Sequence, residues 1–121
     1  MKLPPRKESE IQREILRYLQ ARGIFAWKAG TGAARATYKG QERFIPFGKA
    51  GCPDILGVLP TGRFLAIEVK RPGYPPTNQQ VAFLKNILLN GGLALIAHSV
   101  TEVADTLSRE GDRWSLHPPA N

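Results

Sequence analysis

The chain has 121 residues, enough for one domain with a substantial core and too few for two. Its 42% hydrophobic content excludes a disordered class, and its single cysteine excludes an internal disulfide and a cysteine-built zinc site. The net charge of +7 favours a polyanionic partner, most simply nucleic acid. With no long apolar run for a membrane span and no signal-peptide pattern, we expect a protein of the reducing cytoplasm.

The N-terminal part reads as a basic arm followed by a helix. Residues 1–7 are rich in proline and basic side chains, which predicts a flexible arm ahead of a single domain over residues 8–121. Isoleucine and leucine recur at helical spacing between Glu8 and Arg22. Gly23 stands where a helix commonly ends, so the predicted helix covers Glu8 to Arg22.

A short strand and a long basic segment follow. The strand is predicted over residues 24–29, and residues 30–51 form a Gly-rich loop or hairpin with a weak strand over residues 43–47. A loop of this length in a small domain is usually functional, and its basic side chains suit phosphate contact. The aromatic residues outside this loop that we expect in the core, rather than as stacking platforms, are Phe25, Trp27 and Trp114.

The second half predicts a hairpin, then a helix, a strand and a helix. Residues 54–59 and 63–70 are apolar strands joined by a short Gly-containing turn. Thr77 and Gln80 have the spacing of a capping box, which places a helix start at Thr77. The remaining predicted elements are a strand over residues 93–98 and a helix over residues 101–109.

The hairpin brings two carboxylates and a lysine to one end. Asp54 begins its first strand, and Glu68 and Lys70 end the antiparallel partner. Because the turn joins the opposite ends, these three side chains are predicted to lie close together. A plain surface ion pair would explain Glu68 and Lys70, but it would leave Asp54 unexplained. Buried charges need a partner or a metal, so the cluster is a candidate active site.

The chemistry of this cluster points to a hard divalent cation. Carboxylate oxygens suit Mg²⁺ or Mn²⁺ better than zinc. Such an ion would polarise a phosphate oxygen, and its bound water could become the nucleophile. Lys70 would orient or deprotonate that water and offset developing negative charge.

Four segments in order resemble one family of nucleases. They are ESEIQREILRYL, GCPDILGV, FLAIEVKRPG and TNQQVAFLKNILLNGG. A PD pair followed fourteen residues later by E-V-K resembles the PD-(D/E)XK nuclease superfamily. Together the segments resemble a stand-alone virus-type replication-repair nuclease (VRR-NUC) domain over residues 8–109, and archaeal Holliday-junction resolvases are a looser match. The resemblance implies an α/β fold with a restriction-endonuclease-like core, a mixed sheet flanked by helices.

The resemblance also implies roles for individual residues. The metal would be held by Asp54, Glu68 and the backbone carbonyl of Val69, with Lys70 catalytic. A further catalytic acid from the first helix is implied, which could be an additional metal ligand and for which Glu8 matches better than Glu10.

Two further sets of residues complete the implied site. Gln80 would reach the site from the second helix, although its capping-box role also explains it. The basic residues predicted to bind DNA are Lys28, Arg35, Lys39, Arg43, Lys49 and Arg71.

We therefore expect a Mg²⁺- or Mn²⁺-dependent DNA endonuclease. The resemblance implies branched or Holliday-junction DNA as substrate, a role in recombination or repair, and a bacterial or phage source. The alternative is a non-catalytic DNA-binding module that keeps the nuclease fold. Because a junction needs two matched nicks, we expect a homodimer. One possible interface consists of Leu88, Leu89 and Leu93.

Overall fold

The computed structural model describes residues 6–29, 32–38, 40–47 and 50–110, with only the backbone for residues 32–38 and 42–47. Its elements, in chain order, are α1 (Glu8–Ala21), β1 (Phe25–Lys28), β2 (Gly32–Tyr38), β3 (Gln41–Phe47), β4 (Ile55–Val58), β5 (Phe64–Val69), α2 (Asn78–Leu89), β6 (Leu93–Ala97) and α3 (Val100–Glu110). Each predicted element over these residues is present. Most of the helix and strand ends differ from the predicted ones by one or two residues. The predicted loop over residues 30–51 contains two paired strands.

The first helix forms where the apolar stripe predicts it. Ile11, Ile15 and Leu19 recur at intervals of four residues, and all three are buried in the core. The helix ends at Ala21, and Gly23 then adopts a φ of +75°, a left-handed conformation that glycine accepts without steric cost.

The main sheet has four strands in the order β1-β4-β5-β6. Strands β1, β4 and β5 pair antiparallel, whereas β5 and β6 pair parallel with α2 as the crossover between them. The predicted mixed sheet flanked by helices is therefore confirmed. Because β5 and β6 run in the same direction, their carboxyl ends, Val69 and Ala97, lie side by side at one edge.

The two faces of the sheet are covered unequally. One face packs against α1 and α3, and its core includes Ile55, Leu65 and Ile67. The other face is covered by α2, which contacts β5 and β6. Phe25 and Trp27 lie on the strand farthest from α2 and are 71% and 38% exposed, so our prediction that they belong to the core is wrong.

The basic segment forms a second, two-stranded sheet. β2 and β3 pair antiparallel, with Arg35 opposite Phe44 and Arg43 opposite Ala36. The backbones of these two arginines therefore lie close together in the hairpin. Lys39, Lys49 and the predicted core residue Trp114 lie outside the described residues.

The second helix begins at the predicted capping box. The Thr77 hydroxyl accepts from the Gln80 amide at 3.1 Å, and the Gln80 side chain accepts from the Thr77 amide at 2.8 Å. At the other end of the helix, Leu88 and Leu89 are 50% and 83% exposed, whereas Leu93 is 4% exposed. Leu93 starts β6 inside the core, so assigning it to an exposed dimer interface is wrong.

Within the described part of the chain, no helix combines the length and the apolar character that crossing a membrane requires.

Candidate active site

The hairpin of β4 and β5 brings Asp54 and Glu68 together. Ile55 pairs with Ile67, so the next position outward sets Asp54 opposite Glu68. The Asp54 carboxylate accepts a hydrogen bond from the Val69 amide at 2.8 Å. Its backbone carbonyl accepts from the Ala29 amide at 2.7 Å, which ties the end of β1 to the same place. Asp54 is thus fixed by contacts to two strands.

Glu68 is the one charged residue in the buried core of the described chain, at 2% exposure. Strand alternation directs it to the face that α2 covers, opposite to Ile67 and Val69. Its Oε2 atom is buried and has no hydrogen-bond partner among the described residues. An oxygen in this state is costly unless a ligand or a proton satisfies it.

The surroundings of Glu68 favour its protonated form. Burial, a hydrogen bond with the Asp54 carboxyl group and the charge of Asp54 raise the pKa of Glu68 to about 9. Lys70 opposes this shift, and the Glu8 carboxylate adds to it. Asp54, Glu8 and Lys70 therefore all interact electrostatically with Glu68 at this end of the sheet. Two carboxylates this close cannot both stay ionised without a compensating cation.

The structure brings Glu8, rather than Glu10, toward this cluster. The Glu8 carboxylate accepts from the Arg71 amide at 3.2 Å, a contact that joins the first turn of α1 to the end of β5. Glu10 is exposed and lies near Arg6, whose pKa is raised by Glu14 and, more weakly, by Glu10. Lys70 is held in register because its amide donates to the Ala97 carbonyl at 3.0 Å.

Gln80 stands at the start of α2, close to the segment that leads into Asp54. A Cβ atom placed on Gly51 would lie 2.4 Å from the Gln79 carbonyl oxygen and 3.1 Å from the Gln80 amide. Gly51 also has a φ of +79°, so only glycine fits this approach of loop to helix. The Gln80 side-chain contact in the structure is the capping one with Thr77. A catalytic role for Gln80 stays a prediction.

Two of the predicted DNA-binding residues flank the cluster. Lys28 ends β1 opposite Ile55, is exposed, and lines a small cavity of about 140 Å³ with Gln12 and Arg13. The Arg71 guanidinium carbon lies 4.3 Å from the centroid of the Tyr74 ring. No role was predicted from the sequence for Gln12 or Tyr74; for Tyr74, the available signal was a tyrosine four residues after Lys70.

The donor set suits a hard cation with few protein ligands. In the described residues, no three or more His, Cys, Asp and Glu side chains form a group that could hold a metal ion. The same residues offer the Asp54 and Glu68 pair, which includes a Glu68 oxygen that none of them hydrogen-bonds. Mg²⁺ is commonly held by one or two carboxylates together with water and substrate phosphates. The residues present fit that kind of site.

The four-stranded mixed sheet flanked by helices is consistent with the core of the PD-(D/E)XK nucleases. The family model for the VRR-NUC domain matches residues 6–101, so the chain belongs to the VRR-NUC family. This membership implies a nuclease-type function in DNA repair. No match was found among curated proteins or among solved structures.

Proposed function

We propose that the protein is a Mg²⁺- or Mn²⁺-dependent DNA endonuclease that hydrolyses phosphodiester bonds in branched DNA. One observation carries the proposal: buried Glu68 has an oxygen with no hydrogen-bond partner in the described part of the chain and lies beside Asp54, with Lys70 and Glu8 close by. A non-catalytic module would have no need for such a costly group in its core. Family membership supports the same reaction class.

The proposed mechanism gives each side chain one task. Asp54, Glu68 and the Val69 carbonyl would hold the cation, which supplies charge neutralisation at the phosphate and an acidified water. Lys70 would hold the attacked phosphate and the water in line through its ammonium hydrogens and offset the charge that develops. Glu8 would fix the Lys70–Arg71 backbone through its hydrogen bond to Arg71.

The test of the reaction class is cleavage of labelled junction, flap and linear DNA with and without Mn²⁺. Metal-dependent nicking by the wild-type protein, absent in Asp54→Asn, would support the nuclease. Tight DNA binding without any cleavage would instead support the alternative, a DNA-binding module that keeps the fold.

DNA affinity should fall steeply with salt, because phosphate contacts release counterions. Replacing Arg35, Lys39 and Lys49 together by glutamine should reduce the log–log salt slope by about 0.9 for each duplex phosphate that the variant no longer neutralises. Fluorescence anisotropy over a salt series measures this slope. An equal salt slope in the variant and the wild type would show that these three residues do not contact DNA phosphates.

We also propose a homodimer that cuts junctions at two symmetric positions. One chain offers one set of carboxylates, whereas a four-way junction has approximate two-fold symmetry and needs two nicks. The exposed Leu88 and Leu89 are candidates for the interface, now without Leu93. We expect light scattering to give twice the chain mass and a cruciform plasmid to yield linear product.

The variant that tests this interface is the double substitution Leu88→Glu and Leu89→Glu. It places two charges on the exposed end of α2 and leaves the core unchanged. It should yield monomer and nicked circles if this surface forms the dimer. A wild-type monomer that gives only nicked circles at every concentration would defeat paired cutting and leave the nuclease proposal intact.

A further inference from the structure

A cavity with aromatic and cationic walls lies beside the candidate active site. It has a volume of about 400 Å³, and its lining residues are Arg6, Ile11, Arg71, Pro72, Tyr74, His98 and Ser99. This volume falls within the range of about 300 to 1,000 Å³ that is usual for small-ligand sites. We refer to it below as the Tyr74 cavity.

The Tyr74 cavity adjoins the carboxylate cluster through the backbone of β5 and β6. Lys70 bonds to Ala97, so the residues that follow, Arg71 and His98, leave the two parallel strands side by side and enter the cavity wall. The Arg71 amide also donates to Glu8 at 3.2 Å. The cavity wall therefore begins at the residue that follows the predicted catalytic lysine in the chain.

The cavity presents a stacking platform. Tyr74 is 53% exposed, and the Arg71 guanidinium lies over its ring at 4.3 Å. Guanidinium planes and tyrosine rings are the surfaces on which proteins stack unpaired bases. Buried Ile11 and the Pro72 ring add an apolar lining, which suits a flat ring better than a hydrated ion.

Two of the three basic side chains that line the cavity have an acidic partner. Arg6 pairs with Glu14, and His98 Nδ1 lies 2.9 Å from the Glu102 carboxylate. Because a carboxylate only accepts, His98 Nδ1 carries a hydrogen, and a neutral His98 would keep Nε2 as an acceptor. The third basic side chain, Arg71, lies over the Tyr74 ring, so a base would find a stacking platform there and a hydrogen-bonding group at His98.

We propose that the Tyr74 cavity binds one unpaired nucleobase of the DNA substrate, stacked on the Arg71–Tyr74 pair. The proposal rests on the proposed function in taking DNA as the ligand. It deepens that function, because a base held out of the duplex in this cavity would select substrates that have an unpaired nucleotide.

The test uses 2-aminopurine placed in turn at each unpaired position of a flap, in EDTA, so that the readout does not depend on cleavage. Stacking should quench its fluorescence in the wild-type protein. Tyr74→Ala and Tyr74→Leu should abolish the quenching and weaken binding about 10-fold, because one base no longer stacks. Tyr74→Phe should behave like the wild type, since it keeps the ring. Phe25→Ala removes an exposed aromatic at the far end of β1 and serves as the matched control.

Quenching that survives in Tyr74→Leu, or no quenching at any position of the wild type, would overturn the proposal. Competition by inorganic phosphate but not by 2-aminopurine riboside would also overturn it, in favour of an anion site. The two proposals separate in a parallel Mn²⁺ cleavage assay. Cleavage without quenching rejects only the base site, and quenching without cleavage rejects only the nuclease.

Discussion

Asp54→Asn should leave a folded protein whose DNA cleavage is lower by at least about 10²-fold, a loss in the range found for single catalytic groups. Asparagine keeps an oxygen that can accept from the Val69 amide, so the hydrogen bond that positions residue 54 survives. The substitution removes one charge of the carboxylate pair. Mn²⁺ affinity, measured by calorimetric titration, should fall together with the rate.

Lys70→Ala separates catalysis from metal binding. We expect a comparable loss of cleavage with Mn²⁺ binding retained, because the lysine is not a proposed ligand. Glu68→Gln should lose both properties, and Asp105→Asn, an exposed acid on α3, is the matched control for each assay. Unchanged Mn²⁺ affinity in Asp54→Asn would reject the ligand assignment even if cleavage fell.

The metal-free protein should lose stability between about pH 4.5 and pH 9 through Glu68. The folded protein holds the Glu68 proton up to a pKa of about 9, whereas the unfolded chain releases it near the ordinary value of 4.5. Glu68 therefore contributes stability that is fully present below the lower pKa and is lost as pH rises through the upper one. The slope from one group is at most about 1.4 kcal/mol per pH unit.

Glu68→Gln removes the pH-dependent contribution of Glu68. The free energy of unfolding of the variant, relative to that of the wild type, should therefore rise steadily with pH. Denaturant unfolding in EDTA at several pH values measures the difference, with Asp105→Asn as the control for loss of an exposed acid. Adding Mn²⁺ at high pH should stabilise the wild type and shrink the difference, because the ion favours the ionised carboxylates. A difference that stays constant with pH would contradict the raised pKa of Glu68.

Much of the fold could be predicted because local signals agreed with tertiary packing. The stripe of Ile11, Ile15 and Leu19 located α1, and the Thr77–Gln80 pair located the start of α2. The candidate site was predictable for a topological reason. A tight hairpin forces the residues at its open end together, so the positions of two acids in the sequence were enough to place them.

The remaining features depend on tertiary interactions that no local pattern contains. The exposure of Phe25 and Trp27 follows from the strand order, because β1 lies at the edge of the sheet where α2 does not reach. The burial of Leu93 follows from its pairing with Leu65 on β5. The link between Glu8 and Arg71 joins residues 63 positions apart. A contact between residues so far apart in the sequence can be identified only in the folded structure.

The pairing of β4 with β5 makes the proposed activity conditional on correct folding. A slip of one residue in that register would turn one of the two acids to the opposite face of the sheet, since side chains alternate along a strand. The slipped chain could keep nearly the same helix and strand content and yet have no place for a cation. A mispaired molecule would thus lack the proposed DNA cleavage. Specific activity would report native pairing where circular dichroism would not.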